Sequence, residues 1–141
     1  MTIPPRRPPA ILDTNVASFV YGEKTEADLY ADDLKDRVLY LSFQTVAEMR
    51  AGAEMAGWGA KRRKELAAFL DTYETVYPDH ENDMVGAWAT MRATLRRHGK
   101  ALSLQDSWIA ASALSTGMLL IAHDGAFEHI PGLKLVCHAE A

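Results

Sequence analysis

Four carboxylates stand where a solvated surface charge is not the natural expectation: Asp13, Glu48, Asp106 and Asp124, among 19 acidic residues. Asp13 directly follows the apolar Ala10-Ile-Leu12, and Asp124 lies three residues beyond the apolar run Met118-Leu-Leu-Ile121. Glu48 and Asp106 have apolar neighbours in segments of helical character: Val46, Ala47 and Met49 for one, Trp108, Ile109 and Ala110 for the other. Gathered at one place, such acids repel one another, and without a cation at least one of them takes up a proton. An all-oxygen donor set suits a hard, hydrated ion such as Mg²⁺ or Mn²⁺ rather than zinc. The chemistry this supports is phosphodiester hydrolysis, with one or two ions holding the phosphate and activating water. No serine, cysteine or histidine nucleophile is needed. Thr14 and Asn15 adjoin Asp13 and would orient its carboxylate or a bound water.

Each of these residues also has a purely local reading. Asp13, with Thr14 and Asn15 beside it, is a helix-capping sequence. Ser103-Leu-Gln-Asp106 is a capping-box pattern, and Asp124-Gly125 is a common turn dipeptide. Glu48 has Arg50 and Arg62 as possible ion partners, or water. What favours function is topology. In open parallel sheets, ligands bind beyond the C-terminal strand ends where the strand order reverses. Two acids that both follow strands belong on that edge, and helices entering there bring Glu48 and Asp106 near their first turns.

The elements that must position these acids alternate. The pattern predicts strands at Ala10–Leu12, Val38–Leu41, Thr75–Tyr77, Met118–Ile121 and Leu133–Val136. Between them it predicts helices over Val16–Tyr21, Thr25–Asp36, Gln44–Ala53, Lys61–Glu74, Pro78 to His98, and Ser103–Ser115, with a brief one at Phe127–Ile130. Ala27, Leu29, Tyr30 and Leu34 are expected to face the core from the second helix, and Trp88 and Trp108 to be core residues. Strands alternating with helices mean an α/β fold with a parallel sheet and right-handed crossovers.

Size and composition agree with this. The chain has 141 residues, 48% hydrophobic and 24% charged, which fits one globular domain without an internal repeat. Residues 1–9, with four prolines, read as an extended and poorly ordered lead-in; residues 10–138 form the domain. The lead-in lacks the apolar centre of a secretory signal, and no apolar run is long enough to span a membrane. With Cys137 as the only cysteine, a reducing cytoplasm is the expected location. A net charge of −4 argues against coating nucleic acid non-specifically but not against local basic patches.

Leu12-Asp-Thr-Asn-Val16, Thr45-Val-Ala-Glu-Met-Arg-Ala-Gly52, Leu104-Gln-Asp-Ser-Trp-Ile-Ala-Ala111 and Ala122-His-Asp-Gly-Ala-Phe-Glu-His-Ile-Pro-Gly132 resemble, in order, the four acidic motifs of PIN domains. They look most like those of the VapC toxins of prokaryotic toxin–antitoxin pairs. The resemblance runs from about Ala10 to Val136. It implies a three-layer α/β/α fold of strand order 3-2-1-4-5. It also implies an Mg²⁺- or Mn²⁺-dependent endoribonuclease cutting RNA, a homodimer, and a small antitoxin of the VapB type as partner. Asp13, Glu48, Asp106 and Asp124 carry over as the catalytic, metal-holding acids. One position departs: many relatives have Thr or Ser just after strand four, where this chain has Ala122.

Lys61–Lys64 and the basic residues from Arg92 to Lys100 are candidates for gripping a nucleic-acid backbone, or are simply solvated helix faces. Trp58, between two glycines, would stack on a base or meet a partner. His123 is read as a turn residue or a general acid. Two other functions compete. An aspartyl-phosphate phosphatase would want a second acid two residues after Asp13, where Asn15 stands. A catalytically silent PIN-like scaffold would bind nucleic acid or protein without cutting. Asp13→Asn is expected to abolish cutting with the fold intact, and to melt higher without metal because it removes a repelling charge.

Overall fold

The computed structural model describes residues 7–140. Among them the chain forms five strands: β1 (Ala10–Leu12), β2 (Leu39–Ser42), β3 (Glu74–Val76), β4 (Leu119–Ala122) and β5 (Leu135–Cys137). They make one parallel sheet of order β3-β2-β1-β4-β5, as expected from the motif resemblance. β1 lies at the centre, with Leu12 in register with Leu41 on one side and Ile121 on the other. The chain leaves β1 for β2 on one side and returns to β4 on the other. The C-terminal ends of β1 and β4 therefore flank the point where the strand order reverses.

Helices α1 (Thr14–Tyr21), α2 (Ala31–Leu34), α3 (Phe43–Met55), α4 (Ala60–Asp71), α5 (Met84–Arg97) and α6 (Leu104–Thr116) cover the sheet, with 3₁₀ turns at Thr25–Tyr30 and Gly125–His129. Successive strand residues point to opposite faces, and the packing follows that alternation. Ile11 and Leu120 pack with Met84, Met91, Leu95 and Ile109 of α5 and α6. Leu12 and Ile121 pack with Val16, Tyr30, Leu41, Leu66 and Leu70 on the other face. Two apolar layers sandwich the sheet, which is the three-layer arrangement.

Four expectations are corrected in detail. The helix expected over Thr25–Asp36 is a 3₁₀ turn followed by the single α-turn α2, and Leu29 on it is 52% exposed rather than in the core. The helix expected from Pro78 begins at Met84. Asp79 and Asn82 side chains take the N–H groups of residues 81, 82 and 84, and this local bonding competes with helix formation. Trp88 and Trp108 are half-buried, stacked on each other with centroids 4.9 Å apart, and Trp88 Nε1–H donates to Ser107 Oγ. Of the lead-in, residues 1–6 lie outside the described residues, and residues 7–9 are docked rather than loose. The Arg7 N–H bonds to the Asp36 carbonyl, and Arg37 bonds to the Pro8 carbonyl.

The contrast between Ile121 and Leu29 gives a direct stability test. Ile121 is fully buried in a central strand, so Ile121→Ala is expected to cost about 3–4 kcal/mol in urea unfolding. Leu29→Ala should cost under about 0.5 kcal/mol, the usual effect of an exposed position.

Candidate active site

Asp13 leaves β1 as the N-cap of α1, its backbone extended at φ −75°, ψ 172°. One carboxylate oxygen accepts the Val16 N–H at 2.8 Å, and the other accepts the His123 N–H at 3.1 Å. The residue is only 2% exposed. Burial pushes its pKa up to about 7; the two N–H groups pull it down, and the charges of Asp106 and Asp124 push it further up.

Asp106 sits in the first turn of α6, where its own N–H bonds to Ser103 Oγ. Its pKa is also raised, chiefly by burial, then by Asp124 and Glu48, against a lowering hydrogen bond from Ser103. Asp124, at the exit of β4, caps the following 3₁₀ turn by accepting the Ala126 N–H at 2.9 Å. Glu48 rises from the middle of α3 and accepts a hydrogen bond from the Thr14 hydroxyl. That hydroxyl spends its one proton on Glu48, so the buried Thr45 hydroxyl donates to Thr14 across 3.0 Å.

The local readings of three acids are thus realised: Asp13 and Asp124 cap the turns that follow them, and Asp106 lies in the turn that Ser103 caps. Asp13 feels Asp106 and Asp124, and Asp106 feels Asp124 and Glu48. Among the described residues, however, no group of three or more His, Cys, Asp or Glu side chains is arranged to hold a metal ion as the side chains stand. The acids share one electrostatic neighbourhood without a closed ligand set. The donor chemistry suits a hard cation: all donors are carboxylate oxygens, and burial raises the pKa of the most buried one to about 7. A groove of about 550 Å³ walled by α3, α4 and β3, with Arg50, Glu54 and Tyr73 in its lining, contains none of the four acids.

A PIN-domain family model matches residues 10–133. The chain belongs to the PIN-domain family. It is 30% identical over 128 residues to a protein named ribonuclease VapC5 from Mycobacterium tuberculosis, covering 89% of this chain and 90% of the relative. A solved structure of a member of the VapBC family of toxin–antitoxin systems, VapBC-5 from Mycobacterium tuberculosis, aligns with TM-score 0.65 at 27% identity, covering 93% and 98% of the two chains. The structure of VapBC2 from Rickettsia felis, bound to a DNA fragment from its promoter, aligns with TM-score 0.77 at 21% identity over 91% of this chain and 97% of that one. This last likeness concerns the fold.

Several PIN-site neighbours behave differently from expectation. Thr14 holds Glu48, not the Asp13 carboxylate, and the Asn15 amide donates to the His123 carbonyl at 3.3 Å. Thr45 was not foreseen, although it stands three residues before Glu48, a spacing that puts both on one helix face. The His123 N–H was invisible as well, because a backbone donor 110 residues from Asp13 leaves no mark in the sequence. Glu48 makes no ion pair with Arg50 or Arg62 among the described residues. Trp58 is stacked near Tyr21, with the Arg62 guanidinium 3.9 Å from its ring centre, so its ring is engaged from within the chain. Of the Lys61–Lys64 cluster, Arg62 is therefore engaged, and Arg63 pairs with Glu54.

The geometry also revises the stability of Asp13→Asn. Both carboxylate oxygens accept backbone N–H groups, and an amide has one acceptor, so the variant loses a bond worth about 1–3 kcal/mol against the ionised wild type. A charge effect that varies with pH is added to this. A carboxyl whose folded pKa is raised favours the folded state below its unfolded pKa of 3.8, and that advantage fades as pH climbs through about 7. In EDTA, the stability of Asp13→Asn relative to wild type should therefore improve by roughly 3 kcal/mol between pH 5 and pH 8. Urea titrations of both proteins across that range check it, and a pH-independent difference would contradict it.

Proposed function

We propose that this PIN-domain chain is an Mg²⁺- or Mn²⁺-dependent endoribonuclease, the toxin of a toxin–antitoxin pair. The observation that carries the reading is the buried Asp13 at the β1 exit, fixed by the Val16 and His123 N–H groups and close enough to Asp106 and Asp124 to feel their charge, in a chain of this family. The names of its relatives support the RNA substrate and the toxin role: one is a ribonuclease VapC5, and another belongs to a toxin–antitoxin system.

Asp13, Glu48, Asp106 and Asp124 would hold the cation. When bound, it supplies neutralising charge for the phosphate and lowers the pKa of a water molecule. The chain's own groups prepare for this. Asp13 is fixed by the Val16 and His123 N–H groups, and Glu48 by the Thr14 hydroxyl. Asp106 and Asp124 are only partly buried, so their carboxylates have room to turn toward an ion. Burial and the neighbouring acids disfavour the charged form of Asp13 against the pull of its two N–H donors, and a bound cation would favour it. The 2′-hydroxyl of RNA has no obligatory part in such hydrolysis, so the acids by themselves do not separate RNA from DNA.

A small antitoxin of the VapB type, a homodimeric state and action in the cytoplasm complete the proposal. No helix among the described residues is long and apolar enough to cross a membrane, and the single Cys137 suits a reducing compartment.

Cleavage of single-stranded RNA should require Mn²⁺ or Mg²⁺ and stop in EDTA. Asp106→Asn should lower kcat by at least about 100-fold while the melting temperature in EDTA holds or rises, since it removes a repelling charge from a partly exposed site. Mn²⁺ should raise the melting temperature of the wild type by binding the folded state. A wild type whose melting ignores millimolar Mn²⁺ and that leaves RNA intact would instead be a silent scaffold.

A further inference from the structure

Tyr30 is wholly buried, although Leu29 before it is open to solvent. Its hydroxyl donates to the Ala122 carbonyl at 2.9 Å, accepts the His138 N–H at 2.9 Å, and lies 2.6 Å from His123 Nδ1. A phenol has one proton and two lone pairs. The carbonyl only accepts and the amide only donates, so the second lone pair takes the proton of His123 Nδ1. The imidazole edge is thereby fixed, with the ring also set edge-on against Phe19.

The position of this hydroxyl interrupts the sheet. The Leu120 N–H bonds to the Lys134 carbonyl at 2.8 Å, and Ala122 is in register with Cys137. In a parallel ladder the next bond in that series joins the Ala122 carbonyl to the His138 N–H. The Tyr30 hydroxyl stands at that point and binds both groups, so β4 and β5 part there. Residues 122–124 are the stretch thus released. Within it the His123 N–H turns to Asp13, the His123 carbonyl takes the Asn15 amide, and Asp124 opens the 3₁₀ turn.

We propose that Tyr30 is a positioning residue of the acid site: its hydroxyl is a wedge between β4 and β5 that sets the path of residues 122–124, and through that path the placement of Asp13 and Asp124. The inference rests on the metal-dependent nuclease reading. Without the hydroxyl, the Ala122 carbonyl and the His138 N–H are free to pair directly. The ladder then gains one bond, and the His123 peptide is drawn toward β5 and away from Asp13. The ring of Tyr30 keeps its packing in Tyr30→Phe, so the loss falls on the site more than on the fold.

The test compares wild type, Tyr30→Phe, Asn15→Ala and, as control, Tyr73→Phe, which removes a hydroxyl just before β3, at the opposite edge of the sheet. Free Mn²⁺ is titrated by electron paramagnetic resonance on full-length protein without RNA, and kcat and KM are measured separately on an RNA. Tyr30→Phe should weaken Mn²⁺ binding by about tenfold or more and lower kcat comparably, the range expected for groups behind metal ligands. KM for RNA should stay within about twofold, since a positioning group acts on the reacting centre. Asn15 is exposed and tethers the same peptide, so Asn15→Ala should fold and weaken Mn²⁺ binding severalfold, and Tyr73→Phe should match wild type. A folded Tyr30→Phe with wild-type Mn²⁺ affinity overturns the inference. If Tyr30→Phe does not fold, unchanged affinity in Asn15→Ala overturns it equally, and weakened affinity there upholds the role of residues 122–124. A wild type that neither binds Mn²⁺ nor cuts RNA overturns the nuclease reading itself, and this inference with it.

Discussion

A carboxylate at 2% exposure with two other acids, Asp106 and Asp124, within electrostatic reach is costly to keep charged, and Asp13 is in that position. A shift from 3.8 to about 7 corresponds to on the order of 4 kcal/mol disfavouring the anion. The surroundings answer with two backbone N–H groups, which recover part of that cost but not all of it. What is left over is an unmet demand for positive charge at one sheet edge. A fold could relieve the demand by swapping Asp13 for an uncharged cap such as Ser, or by placing an Arg beside it. This chain does neither, and that retained tension is the physical basis for reading the edge as a cation site.

The sheet makes the tension possible. β1 is buried on both faces and hydrogen-bonded on both sides, so the residue that follows it has little freedom to swing toward solvent. β4 lies beside it in register, and its exit places residues 122–124 against Asp13. α3 and α6 enter from the same edge, each started by a serine cap, Ser42 and Ser103. Acid convergence is therefore a consequence of strand order more than of any loop conformation, and rigid elements carry each acid to its place.

Much of this was legible in the sequence, for definable reasons. Short apolar runs ending in Asp, and helices opening on Ser, locate strand exits and helix starts to within a residue or two, as at Ala10–Leu12 and Leu104–Thr116. The helix around Tyr30 was less legible: its apolar residues suggest one continuous face, but the chain needed a 3₁₀ turn and one α-turn to bring the Tyr30 hydroxyl to Ala122, 92 residues away. The start of α5 was hidden because Asp79 and Asn82 satisfy backbone groups that a helix would otherwise use. The four acids were visible by type and position. What held them was not, since the His123 N–H, Thr45 and the Tyr30 hydroxyl act across long sequence separations or through the main chain.

Capping and chemistry are not rival accounts of these acids. An N-cap needs an extended backbone and a side chain folded back onto nearby N–H groups, so capping immobilises a carboxylate with no further residues. Asp13 caps α1 and Asp124 caps a 3₁₀ turn, while Asp106 lies in the first turn that Ser103 caps. Glu48 is the exception that shows the rule. It sits mid-helix, where every N–H is already committed to the helix, and no backbone donor is free to hold it. Its place is taken over by side chains instead, the Thr14 hydroxyl backed by the buried Thr45. An acid at an element end can be positioned by the backbone that ends there, whereas an acid inside an element must recruit hydroxyls from its neighbours.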